Sequence, residues 1–380
     1  MITVRLLAVI VGFTLGLLAL IAPSSSAIAE APDDEFLRAL PGRPLVFPQD
    51  HGSHPRAKTE WWYLTGVLER ESDGGTLGFQ ATWFRRALVP NAATRTSRLA
   101  TRDLLLFHGA ITDVDAGSFS HDSLGTRAAP GWGHAKGGTL DVSVFGRSLR
   151  LEDDGSWTLR SIVRGAILEL RLVPTRDPLL HGEEPGLSLK GPLPGQASHY
   201  YSMTRLEATG TLRASADAPA QAVRGRVWFD QEFGSQQLGD DQIGWDWFSV
   251  ALDDGTDLML YQLRLKDGGI EPKSSGTIRT ADGRRIPLSV DQFRIEVLDR
   301  WTSPSTGATY PARWRLTVPE HSIELEVRPR LPEQELLTQD TTGVDYWEGI
   351  SEYTGSIAGR AVRAHGYVEL VGYAGKFSGI

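Results

Sequence analysis

The residues best suited to chemistry in this chain are carboxylates set among large aromatic side chains. Asp230 and Glu232 lie inside Trp228-Phe229-Asp230-Gln231-Glu232-Phe233-Gly234, and Asp246 separates Trp245 from Trp247. Apolar surroundings disfavour the charged form of a carboxyl, so such a group can keep its proton near neutral pH and pass it to a substrate. Arg205 and Arg264 offer the competing outcome, because an arginine beside either acid makes a structural ion pair. Other chemistries find no foothold. There is no G-x-S-x-G elbow, no cysteine, no G-x-G-x-x-G opening a helix and no H-E-x-x-H, and His51, His54, His108 and His199 have no ligand spacing. No metal and no cofactor are expected.

The elements that must carry these residues read as strands. Glu60-Trp61-Trp62-Tyr63-Leu64-Thr65-Gly66-Val67-Leu68 is answered by Gly244-Trp245-Asp246-Trp247-Phe248-Ser249-Val250-Ala251-Leu252. Each is followed by a turn, Asp73-Gly74-Gly75-Thr76 or Asp253-Asp254-Gly255-Thr256, and then by a second strand ending in Arg85 or Arg264. The likeness continues in order. Tyr201 through Gly210 answers to Tyr346 through Gly355, and Gly225-Arg226-Val227-Trp228-Phe229 to Gly366-Tyr367-Val368-Glu369-Leu370. Two similar β modules are implied, over 30–238 and 239–380, joined by a short polar turn. Side chains two apart share a face of a strand, so Trp61, Tyr63, Thr65 and Val67 lie together, as do Trp245, Trp247, Ser249 and Ala251. A barrel that tapers from a bulky mouth would use these faces to line its lumen.

Asp-Gly and Gly-Gly pairs at 73–75, 154–155, 254–255, 267–269 and 282–283 punctuate alternating apolar stretches, which is hairpin chemistry. No sustained helical stripe follows residue 40, although Gln334-Glu335-Leu336-Leu337 could form one helical turn, so the class is all-β, antiparallel. At the N-terminus, Arg5, an apolar run over 6–22 and Ala27-Ile28-Ala29 read as a signal peptide over 1–29. The mature protein is then expected in the periplasm or outside the cell. A net charge of −8 with no basic cluster speaks against nucleic acid as a partner. Eleven tryptophans favour a hydrophobic small molecule instead.

His54-Pro55 with Glu60-Trp61-Trp62-Tyr63-Leu64-Thr65-Gly66, then Tyr200-Tyr201-Ser202-Met203-Thr204-Arg205-Leu206, the segment from Trp228 to Phe233, and Gly244-Trp245-Asp246-Trp247-Phe248 resemble the carotenoid 1,2-hydratase family and its secreted AttH-like relatives. The resemblance covers nearly all of the mature chain. It implies two tandem lipocalin-like barrels or sandwiches, a ligand site in or between them, and cofactor-free addition of water to a carbon–carbon double bond. Glu232 or Asp230 would be the acid, with Trp228, Trp245 and Trp247 facing the cation. The chain departs from the hydratase pattern at Gln231, Phe233 and Leu263, where the resemblance calls for His, Trp and an acidic residue. Two readings follow: an isoprenoid-type hydratase or isomerase, and a non-catalytic carrier or accessory to a membrane-transport partner. Catalytic candidates are Glu232 and Asp230; ligand-binding candidates are Trp61, Tyr63, His108, Tyr201, Arg205, Trp228, Trp245, Asp246, Trp247 and Tyr261.

Overall fold

The computed structural model describes residues 35–90, 100–236 and 238–375. The expected signal peptide lies outside them. Within them the protein is all-β, with only three-residue 3-10 turns besides strands.

Two antiparallel sheets carry the fold. The first runs through β1 (Thr59–Arg70), β2 (Thr76–Ala87), β3 (Asp103–Asp113), β4 (Ser118–Arg127), β5 (Gly133–Ala135), β6 (Asp141–Val144), β7 (Arg147–Leu151), β8 (Trp157–Val163) and β9 (Ala166–Pro174). It is completed by the short β10 (Leu179–Leu180) and β11 (Leu187–Leu189) and the long β12 (Ala197–Arg213) and β13 (Gln221–Gln236). The second comprises β14 (Gln242–Ala251), β15 (Asp257–Leu265), β16 (Ser275–Arg279), β17 (Arg285–Ser289), β18 (Arg294–Thr302), β19 (Thr309–Val318), β20 (Ile323–Pro329), β21 (Glu335–Leu336), β22 (Tyr346–Ile357) and β23 (Arg360–Val371).

Strand order repeats between them. The first sheet runs β4-β3-β2-β1-β13-β12-β9-β8-β7-β6-β5, and the second β17-β16-β15-β14-β23-β22-β20-β19-β18. In both, the opening aromatic strand pairs with the last strand of its own sheet. Of the glycines read as hairpin turns, Gly74, Gly155, Gly255, Gly268 and Gly283 take positive φ, Gly74 at 73° and Gly255 at 93°. Glu335 and Leu336 are not helical: they pair as a strand with Trp347 and Tyr346.

Each sheet curls around its own apolar filling. Trp62, Leu64, Leu68, Trp83, Phe107, Trp157 and Phe229 fill the first, and Phe248, Val250, Leu260, Trp314, Trp347 and Tyr353 the second. Large apolar side chains thus occupy both interiors, and the expectation that Trp61 and Tyr63 line one is not met. Their neighbours Trp62 and Leu64 point inward, which by strict alternation turns Trp61 and Tyr63 outward. The same holds for Trp245 and Trp247 beside Phe248. These outward faces meet. Tyr63, Tyr200, Trp228, Trp247, Met259, Tyr261, Ile350 and Tyr367 form a third apolar cluster, between the sheets. A buried ion pair from Arg205 Nε to Asp257 Oδ1 at 2.6 Å, with Thr204 donating to Asp257 Oδ2, also joins them.

Candidate functional site

The space between the outward faces is not wholly filled. A cavity of about 370 Å³ remains, walled by Trp61, Tyr63, Phe84, Trp245, Trp247, Tyr261 and Tyr346, with Asp230, Glu232, Glu369, His108 and Lys190 among them. Its volume and aromatic walls suit a small-molecule site. Half-buried or exposed residues form the rim: Lys58, Arg86, Gln236, Asp240 and Thr342.

Strand register explains who lines it. On β1, Trp61 stands opposite Glu232 and Tyr63 opposite Asp230 of β13. On β14, Trp245 stands opposite Val371 and Trp247 opposite Glu369 of β23. Because Trp61-x-Tyr63 and Trp245-x-Trp247 begin equivalent strands, Asp230 and Glu369 hold equivalent places, one on each wall.

Their surroundings differ. Asp230 is 3% exposed and accepts three donors: Trp228 Nε1 at 2.6 Å and the Ser202 hydroxyl on Oδ1, and Tyr200 OH at 2.5 Å on Oδ2. Tyr200 in turn accepts from Trp247 Nε1 at 3.0 Å. Burial pushes Asp230 up to about 7, against the pull of those donors. Glu369 accepts only Trp245 Nε1, at 2.7 Å on Oε2, and no ion pair to it exists among the described residues. Burial, relieved in part by that indole and reinforced by the charges of Asp230 and Glu232, raises it likewise to about 7. Glu348 faces Glu369 directly across the β22–β23 ladder, is 1% exposed, and has no hydrogen-bond partner on either oxygen. Burial and the neighbouring Glu369 push it well above the usual carboxylate range.

Glu232 is engaged differently. Lys190 Nζ lies 3.0 Å from its Oε1, and Ser198 Oγ donates to the same oxygen at 2.5 Å. The ammonium also sits 4.1 Å from the centre of the Tyr261 ring, a cation–π contact. Burial alone would lower Lys190, but Glu232 and Tyr261 outweigh it and hold the ammonium above its ordinary value. His108 is bracketed by Tyr346 OH at 3.0 Å and Thr341 Oγ1 at 2.8 Å, and burial depresses it to about 3, so it is neutral. Among the described residues no three His, Asp or Glu side chains gather as a metal site.

The sequence candidates thus divide. Asp230, Glu232, Trp61, Tyr63, His108, Trp245, Trp247 and Tyr261 come together on the cavity wall. Trp228 sits behind Asp230 in the packed interface. Three others are elsewhere. Asp246 is on the inward face of β14, held by Arg264 at 3.1 Å and by Tyr373 OH at 2.9 Å, which is the structural ion pair weighed against a catalytic role. Arg205 pairs with Asp257 rather than with Glu232 or Asp230. Tyr201 is in the first core, where it donates to Gln231 Oε1 at 2.6 Å. The cause is a bulge in β12 between Met203 and Leu206. Inward positions are 206 and 208 on one side of it but 201 and 203 on the other, so Tyr200 takes the cavity position. Lys190, Tyr200, Tyr346 and Glu369 were missed. The repeat could have pointed to Glu369, but matching Gly225 to Gly366 set Glu369 against Trp228, two residues out of register with Asp230.

With this geometry the chain can be placed among known proteins. The profile of the AttH-like family matches residues 38–373. The chain belongs to the AttH-like family. The crystal structure of an AttH from Nitrosomonas europaea is 34% identical to this AttH-like protein, covering 89% of this chain and all of that one, with a TM-score of 0.79. Kievitone hydratase from Nectria haematococca shares the lipocalin-like fold at 16% identity and a TM-score of 0.67, over 90% of this chain and 98% of that one. No curated protein matches this AttH-like chain in sequence.

Proposed function

We propose that this protein binds a mostly apolar, unsaturated small molecule in the cavity between its sheets and moves a proton on it, as a cofactor-independent hydratase or isomerase. The observation that carries this reading is a cavity walled by indole and phenol rings that contains two carboxyls, Asp230 and Glu369, raised by burial to about 7. Such a carboxyl is part protonated at neutral pH, where a general acid works best. Protonation of one alkene carbon leaves a cation on the other, which aromatic faces stabilise. Water adds to that cation and returns a proton to a carboxylate, completing hydration. Loss of a neighbouring C–H proton instead completes isomerisation. Asp230, Glu232 and Glu369 are the acids within reach, and Trp61, Trp245 and Trp247 the cation-facing walls. The fold shared with a hydratase lends support. Carotenoid-type substrates are the finer version of the same proposal.

A carrier without chemistry is the second reading, favoured by one observation: Asp230 already has three donors and Glu232 a lysine. We further propose that residues 1–29 direct export. N-terminal sequencing of the protein from the periplasmic fraction should then begin at Glu30; a chain that starts at Met1 or stays cytoplasmic refutes export. For the function, the purified protein is extracted with organic solvent, and the extract is analysed by mass spectrometry. The protein is then incubated in deuterated water with whatever isoprenoid or polyene is recovered. Deuterium incorporation or hydration identifies the enzyme, a recovered but unaltered ligand identifies the carrier, and empty extracts from repeated preparations count against both.

A further inference from the structure

Within the proposed cavity the carboxyls are not equivalent as ligand contacts. Asp230 has both oxygens occupied by protein donors. Glu232 has its counter-ion in place at 3.0 Å. Glu369 alone of the three is half-buried on the cavity wall, without a cation, with one oxygen held by Trp245 and the other meeting no donor among the described residues. Behind it, on the same face of the sheet, stands Glu348 with two unpartnered oxygens. The free oxygen of Glu369 opens to the cavity, where a donor on a bound molecule takes the place of solvent. Of the other polar wall groups, Tyr346 is taken by His108 and Tyr261 by Ser188 and Leu189, while the Tyr63 hydroxyl lies near Glu348 and meets no hydrogen-bond partner among the described residues.

We infer that Glu369 is the carboxyl that meets the ligand, and that the ligand is an apolar molecule whose polar end donates a hydrogen bond, an alcohol, phenol or ammonium and not a carboxylate. This rests on the cavity being a ligand site, as proposed above, but not on any chemistry taking place there. The aromatic walls hold the skeleton, and Glu369 orients it by its head. The equivalent place on the first wall is closed to this role by Ser202, Tyr200 and Trp228. Position 348 is Glu on the second wall where Ser202 stands on the first, so no hydroxyl comes to satisfy Glu369 from the neighbouring strand.

Three probes with one ten-carbon skeleton and different heads test this: geranylamine, geraniol and geranic acid, titrated into the full chain at pH 7.5 and followed by quenching of tryptophan fluorescence. A hydrogen bond to a charged group predicts that the amine and the alcohol bind at least ~10-fold more tightly than the acid. In Glu369→Gln, whose amide keeps the acceptor but not the charge, the amine should weaken by about 10-fold and the alcohol by less than about 3-fold. Glu369→Asp, which keeps the charge, should retain the order of the three probes. Tightest binding by geranic acid would make Lys190 the anchor and overturn the assignment. Amine affinity unchanged in a folded Glu369→Gln protein would overturn it too. Binding of all three with no preference sinks Glu369 but leaves the apolar cavity standing, whereas binding of none removes the cavity reading and this inference with it.

Discussion

Asp230 and Glu369 occupy matching places on the two walls of one cavity, and what surrounds them has diverged. The first wall surrounds its carboxyl with a serine, a tyrosine and an indole. The second gives its carboxyl a single indole and puts another acid beside it. A saturated buried acid is held in one place by its donors. A half-buried one with a free oxygen on a cavity wall is placed to take a donor from solvent or a ligand. Two similar sheets thus let one copy of a position be fixed by protein donors while its counterpart keeps an oxygen open to the cavity.

The sharpest break of this picture tests the packed interiors against the walls. Trp62→Ala empties a 1% exposed site in the first core and should cost about 3–5 kcal/mol in denaturant unfolding, whereas Trp61→Ala, on the cavity, should cost less than about half as much while weakening geraniol binding. Equal losses in the two variants would mean that the cavity face is core. Next in size, Asp230→Ala strands the Trp228, Tyr200 and Ser202 donors and should cost about 3 kcal/mol near pH 3, where the acid is protonated in the folded and unfolded chain alike, and less at pH 6, where the unfolded chain is already ionised.

Glu369→Gln should move stability the other way. Its native pKa of about 7 lies above the ordinary value, so the folded state holds this proton more tightly than the unfolded chain does. Its contribution is intact below about pH 4.5 and is lost as pH rises through about 7, so the variant should be more stable than wild type by about 2 kcal/mol at pH 8, after allowance for its partial exposure, and no different at pH 4. Asp230 and Glu348 slope in the same direction and will leave part of the pH dependence in place. Melting curves at the two pH values decide the sign. The smallest effect is Tyr346→Phe, which removes one hydrogen bond to a neutral histidine and should cost about 1 kcal/mol.

Much of the fold was legible because strand alternation and Asp-Gly turns are local signals. The aromatic pair at the start of β1 and of β14, and the turns after them, mark both sheets. The direction in which those aromatics point was not local: Trp61 and Trp62 are equally bulky, and only the packing of a whole sheet decides which of them is inside. Asp246 shows the same limit, since lying between two cavity tryptophans in sequence puts it on the opposite face. The β12 bulge left no mark either, yet it exchanges Tyr201 for Tyr200 and sends Thr204 and Arg205 to Asp257. Glu232 and Asp230 were readable as acids in an aromatic strand. Lys190 lies in a loop after a three-residue strand, and nothing in its neighbours announces the contact with Glu232.

The segment between β13 and β14 has a consequence for how this molecule can be taken apart. It spans only residues 237–241, and Leu238, Gly239 and Asp240 stand at the doorway of the cavity. The link between the two sheets is thus also part of the cavity's rim. A protease cut there, or an insertion such as a fluorescent tag, would fall on the cavity's edge, and neither half on its own carries the whole wall.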